Sequence, residues 1–169
     1  MLKDAKTRFL SDAVNEMDKQ VKLHYFKEAK SEFTISKYLE KIEGRKSRCL
    51  IGKLRLGVLD LEIEKGRRFK VDNLGNKTQI DRSERFCKLC QSGEVEDEVH
   101  FLFSCPTLDK TRKTYLEPLM NMCPELTSAP HQDKLMYLFF NEDLETDELY
   151  LANTLLSKLK EARDDPLTQ

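Results

Sequence analysis

Three cysteines and a histidine fall within nineteen residues at the spacing C-x2-C-x9-H-x4-C: Cys87, Cys90, His100 and Cys105. Three thiolates and an imidazole at these intervals can converge on one tetrahedral Zn2+ with every position filled by protein, which is the arrangement of a structural rather than a catalytic site. Only two residues separate Cys87 from Cys90, so the chain doubles back and both sulfurs can face the metal. His100 and Cys105 would close the site from a second short element. Disulfide pairing is the competing chemistry. It needs an oxidising compartment, whereas Met1-Leu2-Lys3-Asp4-Ala5-Lys6 lacks the apolar stretch of a signal peptide. Five Cys also leave one unpaired. The residues predict one structural zinc and an intracellular chain, with nuclear and cytoplasmic placement both open.

The element that must carry the second pair of ligands is predicted to be a helix starting at Glu94. Gly93 precedes it, the acidic residues Glu94, Glu96, Asp97 and Glu98 suit a first turn, and Pro106 would stop it just after Cys105. The run Arg85-Phe86-Cys87-Lys88-Leu89-Cys90, followed by Gly93 to Pro106, resembles the zinc-binding region at the C-terminus of non-LTR retrotransposon reverse transcriptases. Lys53 to Arg67 is similar to the segment preceding that zinc site in many animal elements, and the likeness extends over roughly residues 21 to 120. It implies a CCHC zinc module with a role in holding element RNA or target DNA. Neither composition nor spacing shows that role. The stretch between residues 67 and 84 is longer than the family pattern has it.

Behind the net charge of −1 lies an asymmetry. Residues 1–86 hold 21 Lys+Arg against 14 Asp+Glu, a balance of +7, and residues 87–169 hold 8 against 16, a balance of −8. The most basic segment joins Arg45, Lys46, Arg48, Lys53 and Arg55 to the apolar Leu50, Ile51, Leu54 and Leu56. A helix there would bury one face and offer cations on another, and Arg67 and Arg68 would extend the basic surface. Such a row could neutralise nucleic-acid phosphates. Equally, it could be a solvated face, or one paired with the acidic half of the chain. Cys49, among the apolar residues, reads as buried packing.

The remaining chain reads as mainly α, a helical domain with a small β-hairpin and a CCHC zinc knuckle. Four stretches make it up: an amphipathic segment over 1–44, a basic helix and hairpin over 45–84, the knuckle over 85–106 and C-terminal helices over 107–165, together one compact domain. Apolar residues at helical spacing run from Leu2 through Phe9, Leu10, Met17 and Val21 to Phe26, and a second pattern spans Ser31 to Glu43 with Gly44 as its C-cap. Leu59 to Glu64 alternates like a short strand, and Asn73-Leu74-Gly75-Asn76 reads as a hairpin turn. Thr107 to Met122 predicts a helix interrupted at Pro118. Leu135 to Phe140 predicts a core helix, and Glu148 to Arg163 a final one whose N-terminal end the preceding acidic run suits.

The other candidates for chemistry are weaker. His24 has no second ligand at helical spacing, and Cys123 with His131 lacks the two further ligands a closed metal site needs. The carboxylates of residues 142–148 read as a solvated helix start. No Gly-rich phosphate loop, H-E-x-x-H or G-x-S-x-G is present. A polymerase centre would need an aromatic residue two before paired aspartates, where this chain has Ala162 before Arg163-Asp164-Asp165. The expectation is a non-enzymatic binding module with no small-molecule substrate and no membrane span, its partner RNA or DNA. A protein-interaction or structural zinc module is the alternative reading, and an orphaned element fragment the third.

Overall fold

The computed structural model describes residues 11–12, 15–17, 19–29, 34–67, 70–71 and 73–165. The chain is mainly helical. We number the helices α1 (His24–Ala29), α2 (Tyr38–Lys41), α3 (Arg45–Arg55), α4 (Glu62–Lys65), α5 (Asp109–Met122), α6 (His131–Phe140) and α7 (Thr146–Asp164). The expected hairpin amounts to two residues on each side: β1 (Lys70–Val71) pairs antiparallel with β2 (Lys77–Thr78), in the register Lys70 to Thr78 and Val71 to Lys77.

The longest helix, α7, is the element the others pack against: α5, α3 and α6 all lie on it, and so does the turn that carries the metal ligands. Its sequence explains this. Leu149, Ala152, Leu155, Leu156 and Leu159 recur at helical intervals and are all buried. Glu145 and Glu148 form a reciprocal capping box at its start, the Glu148 carboxylate accepting from the Glu145 backbone N–H at 3.0 Å. Facing residues are Ile51 and Leu54 of α3, Leu119 of α5, and Leu135, Leu138 and Phe139 of α6. Phe101, Leu102 and Leu108 from the ligand-bearing segment join the same core, so the metal site and the helices share one interior.

Several expectations change. Of the helix expected over residues 2–30, positions 2–10, 13–14, 18 and 30 lie outside the described residues; 11–12 and 15–17 are helical as expected, and after a break at 19–20 a 3-10 turn at Val21–Leu23 leads into α1. Among the described residues of 31–43, only Tyr38–Lys41 is helical. Gly44, at φ 88°, sits at the N-cap of α3 rather than closing the preceding helix. Leu59, Leu61 and Ile63 are buried as the alternation implies, but as an irregular turn running into α4 instead of a strand. Pro118 lies inside a continuous α5. Gly57 is required by a close approach: its φ is 59°, and a Cβ there would stand 2.5 Å from the Lys22 carbonyl oxygen.

Candidate metal centre

Cys87 and Cys90 stand on a tight turn whose two sides are tied together. The Cys87 N–H donates to the Glu94 carbonyl at 2.8 Å, the Glu96 N–H donates to the Arg85 carbonyl at 3.0 Å, and Phe86 and Val95 form an isolated antiparallel bridge. The return is made through Gln91 at φ 52° and Gly93 at φ 76°. Bridge formation corrects the predicted helix start, because Glu94 and Val95 are extended. Helical structure begins only near residue 98, and His100–Ser104 is one wide, π-type turn that ends in Cys105. Asp97 caps it, its Oδ1 accepting from the His100 N–H at 2.8 Å. Pro106 does not stop the chain's helical course; it opens a 3-10 turn that leads into α5.

The four predicted ligands come together. Their ligand atoms all lie within 4.8 Å of one another. The Cys87 and Cys105 sulfurs are 3.9 Å apart, and Cys90 Sγ is 3.4 Å from His100 Nε2. Around a tetrahedral zinc with bonds of about 2.3 Å to sulfur and about 2.0 Å to nitrogen, these edges would measure about 3.8 and 3.5 Å. Cys87, His100 and Cys105 are buried and Cys90 is half-buried. The cluster could hold one metal ion, with no position left for substrate.

Hydrogen bonding aims the histidine. Its Nδ1 is 2.8 Å from the Glu94 carboxylate, so an Nδ1–H donated there leaves Nε2 turned towards the sulfurs. Removing the Cys87 sulfur from water pushes its thiol pKa well up. Burial also acts to raise Cys90, but hydrogen bonds from Ser92, Cys87 and His100 outweigh it and bring it down to about 7. His100 is drawn up to about 9, first by its hydrogen bond to Cys105 and then by Cys90, against the opposing effect of burial. Thiols and imidazole thus share protons in a space where a divalent cation would instead favour three thiolates and a neutral ring. Replacing Glu94 by Ala should weaken metal binding about 10- to 100-fold, as read by competition with a chromophoric chelator. Because metal binding is itself folding free energy, the same loss, about 1.4–2.7 kcal/mol, should lower the melting point of the metal-loaded protein by a few degrees, even though this side chain is 60% exposed.

Buried arginines lock the site in place, and sequence reasoning missed their role. Arg85 donates to the Ile63 carbonyl at 2.7 Å and, through Nε and Nη2, to the Ile80 carbonyl. Arg112 donates to the carbonyls of Leu102 at 2.8 Å and Cys105 at 2.7 Å, satisfying the end of the ligand-bearing turn. Arg163, from the last turn of α7, grips Glu96 with two bonds of 2.8 and 3.0 Å, and Glu96 also accepts from the Glu62 N–H at 2.8 Å. Glu96 is 1% exposed. Nothing in the residues around Glu96 marks it for burial, because the partner that neutralises it lies 67 residues away.

The predicted basic face divides. Arg45, Lys46, Arg48 and Lys53 are exposed on α3, whose eleven residues include no acidic side chain. Arg55 does not belong with them. It is 4% exposed, bonds to Glu142 at 2.7 Å and to the Phe140 carbonyl at 3.2 Å, and lies over the rings of Tyr38 and Phe140. The helix repeat turns position 55 towards Leu54 and the core, and Glu142 neutralises it there. Cys49 is the converse correction: expected inside, it is exposed, because it shares the stripe of Arg45 and Arg48 rather than that of Ile51 and Leu54. Arg67 is partly buried and pairs with Glu64 at 3.2 Å, away from this row, and Arg68 lies outside the described residues.

Neither weaker metal candidate gathers ligands. Cys123 is buried and bonded to Glu148 at 2.9 Å, His131 stacks on Phe103 with ring centres 5.5 Å apart, and His24 is exposed beside Tyr25. Among the described residues no helix is long and apolar enough to cross a membrane. No family model, curated protein or solved structure matches the chain.

Proposed function

We propose that this chain is a non-enzymatic binding module held together by one structural zinc at Cys87, Cys90, His100 and Cys105, and that it contacts the phosphate backbone of RNA or DNA through α3. Zinc is favoured by the donor set, three sulfurs and one imidazole nitrogen in a closed tetrahedral arrangement. The nucleic-acid reading rests on one observation: four exposed cations stand on a single helix without a carboxylate, and among the described residues none of the four is in an ion pair. The acidic groups of the other half that approach this face have partners of their own: Glu161 and Asp164, which share a hollow with Lys46, pair with Lys158 and Lys160. Glu142 binds Arg55, and Asp143 binds Lys37. The likeness of residues 85–106 to the zinc region of retrotransposon reverse transcriptases points the same way. Phosphate contacts of this kind position a ligand without reading its sequence.

Titration of the metal-loaded protein against single-stranded RNA and duplex DNA over a range of salt tests this. If all four cations engage, log affinity should fall with log salt at a slope of about −3 to −4. Arg45→Ala, Arg48→Ala and Lys53→Ala should each reduce that slope by about one, while Lys110→Ala, on α5, should leave it alone. Absence of binding at low salt would remove the reading.

A further inference from the structure

Residues 45, 48, 49, 52, 53 and 56 recur at i, i+3, i+4, i+7, i+8 and i+11, so they form one stripe along α3 and its end. Beside that stripe runs a groove of about 510 Å³, walled on the other side by Tyr38, Leu39 and Val58. Its depth follows from Gly52, which has no side chain: even a Cβ there would stand 3.2 Å from the Tyr38 hydroxyl. Apart from Tyr38 the apolar lining is aliphatic, with Leu39 38% and Leu56 43% exposed. Arg45, Arg48 and Lys53 edge it, and no carboxylate lines it. From Arg45 to Lys53 the row covers about 12 Å, two turns of a facing helix.

We infer that this groove docks an acidic amphipathic helix of a protein partner, whose apolar side chains fill the floor between Leu39, Leu56 and Val58 and whose Glu or Asp residues meet Arg45, Arg48 and Lys53. Charge complementarity selects an acidic partner, and the floor selects a protein. Nucleic-acid bases need an aromatic face to stack on or polar groups to read. The one aromatic ring here, Tyr38, already carries the Arg55 guanidinium 4.9 Å from its centre. A phosphate backbone on the rim would leave the aliphatic floor uncovered, whereas leucines spaced at i, i+4 and i+7 on a helix would cover it. The inference stands apart from the nucleic-acid reading but uses three of the same cations, so the helix and a nucleic acid would exclude each other.

Cys49 supplies an intrinsic probe, because it is an exposed free thiol within the groove. The full-length, metal-loaded protein would be titrated with a designed peptide of about four helical turns carrying leucines at i, i+4 and i+7 between glutamates, and with a shuffled peptide of identical composition. Fluorescence anisotropy reads binding, and mass spectrometry follows alkylation of Cys49. The expected result is saturable binding that slows Cys49 alkylation, weakens at least about tenfold in the shuffled peptide, and weakens comparably in Leu56→Glu and in Leu39→Glu. Both leucines are partly exposed, so metal content and melting should match the parent. Equal binding of the shuffled peptide would reduce the contact to charge alone and overturn the inference, as would unchanged affinity in both variants or no binding. If the designed peptide does not bind while oligouridine does, and the uncharged Leu56→Gln weakens oligouridine binding, the groove is a nucleic-acid site instead. The salt titration without peptide judges the nucleic-acid reading separately.

Discussion

Stripping the metal with a chelator should unfold more than the knuckle. Cys87 and Cys105 are 3% and 1% exposed, and they lie in the same core as Phe101, Leu102, Leu108 and the leucines of α7. Structural zinc contributes apparent folding free energy of about 10–16 kcal/mol in small zinc modules at neutral pH, while a whole domain is stable by only about 5–15 kcal/mol. A contribution of that size is comparable to the whole stability of a domain. The metal-free protein should therefore lose its cooperative thermal transition, and Cys90→Ser should do the same by removing one ligand at a half-buried position without hollowing the core. Circular dichroism melts with metal content determined in parallel test both. A chain that melts like the parent after stoichiometric metal loss would sink the structural-metal reading. Acid should act in the same direction. Protons compete for thiolates, and burial favours the neutral Cys87 thiol, so metal affinity falls as pH falls.

The second large effect is expected far from the ligands. Glu96→Gln leaves the Arg163 guanidinium buried, at 6% exposure, with only the half-exposed Asp164 carboxylate at 3.5 Å in place of its two short bonds to Glu96. Breaking a buried pair by neutralising one partner costs about 3–5 kcal/mol, and at about 2–4 °C per kcal/mol for a domain of this size the melting point should drop by roughly 6–20 °C. The pair holds three parts of the chain: Glu96 on the return side of the knuckle, Arg163 at the end of α7, and the Glu62 N–H at the start of α4. Replacing both residues by apolar ones, Glu96→Leu with Arg163→Met, should recover part of the loss, because no uncompensated charge then remains. A single variant that melts within 2 °C of the parent, about the effect of 1 kcal/mol or less, would mean that water reaches Arg163.

The four residues that come together are all legible along the chain, and their geometry only in part. Coordination demands particular side chains at short intervals, and all four ligands lie within nineteen residues, so the requirement is visible as a local pattern. The element between the ligands was misjudged, since an acidic run after Gly93 is equally suited to a helix start and to what is present. Glu94 turns to His100, Glu96 to Arg163 and Asp97 to the His100 N–H. Glu94 and Asp97 both serve His100, one at its ring and one at its backbone, while Glu96 between them meets a residue 67 positions away. Helical periodicity located α6 and α7 within a few residues, because each buries a stripe of leucine and phenylalanine whose spacing does not depend on what covers it.

What the sequence by itself determined, then, is the Cys3His quartet that could hold a metal, the helical character and the basic composition of residues 45–55. Tertiary structure alone decided which of those charges meet solvent. Arg55 and Arg163 are drawn inward by Glu142 and Glu96, carboxylates 87 and 67 residues distant, while Arg85 and Arg112 are held by backbone carbonyls of the knuckle and its neighbours. A guanidinium can be buried only where acceptors converge to replace its water, and that convergence comes from the folding of remote segments onto α7. The same packing leaves Arg45, Arg48 and Lys53 outside, beside a groove that Gly52 keeps open.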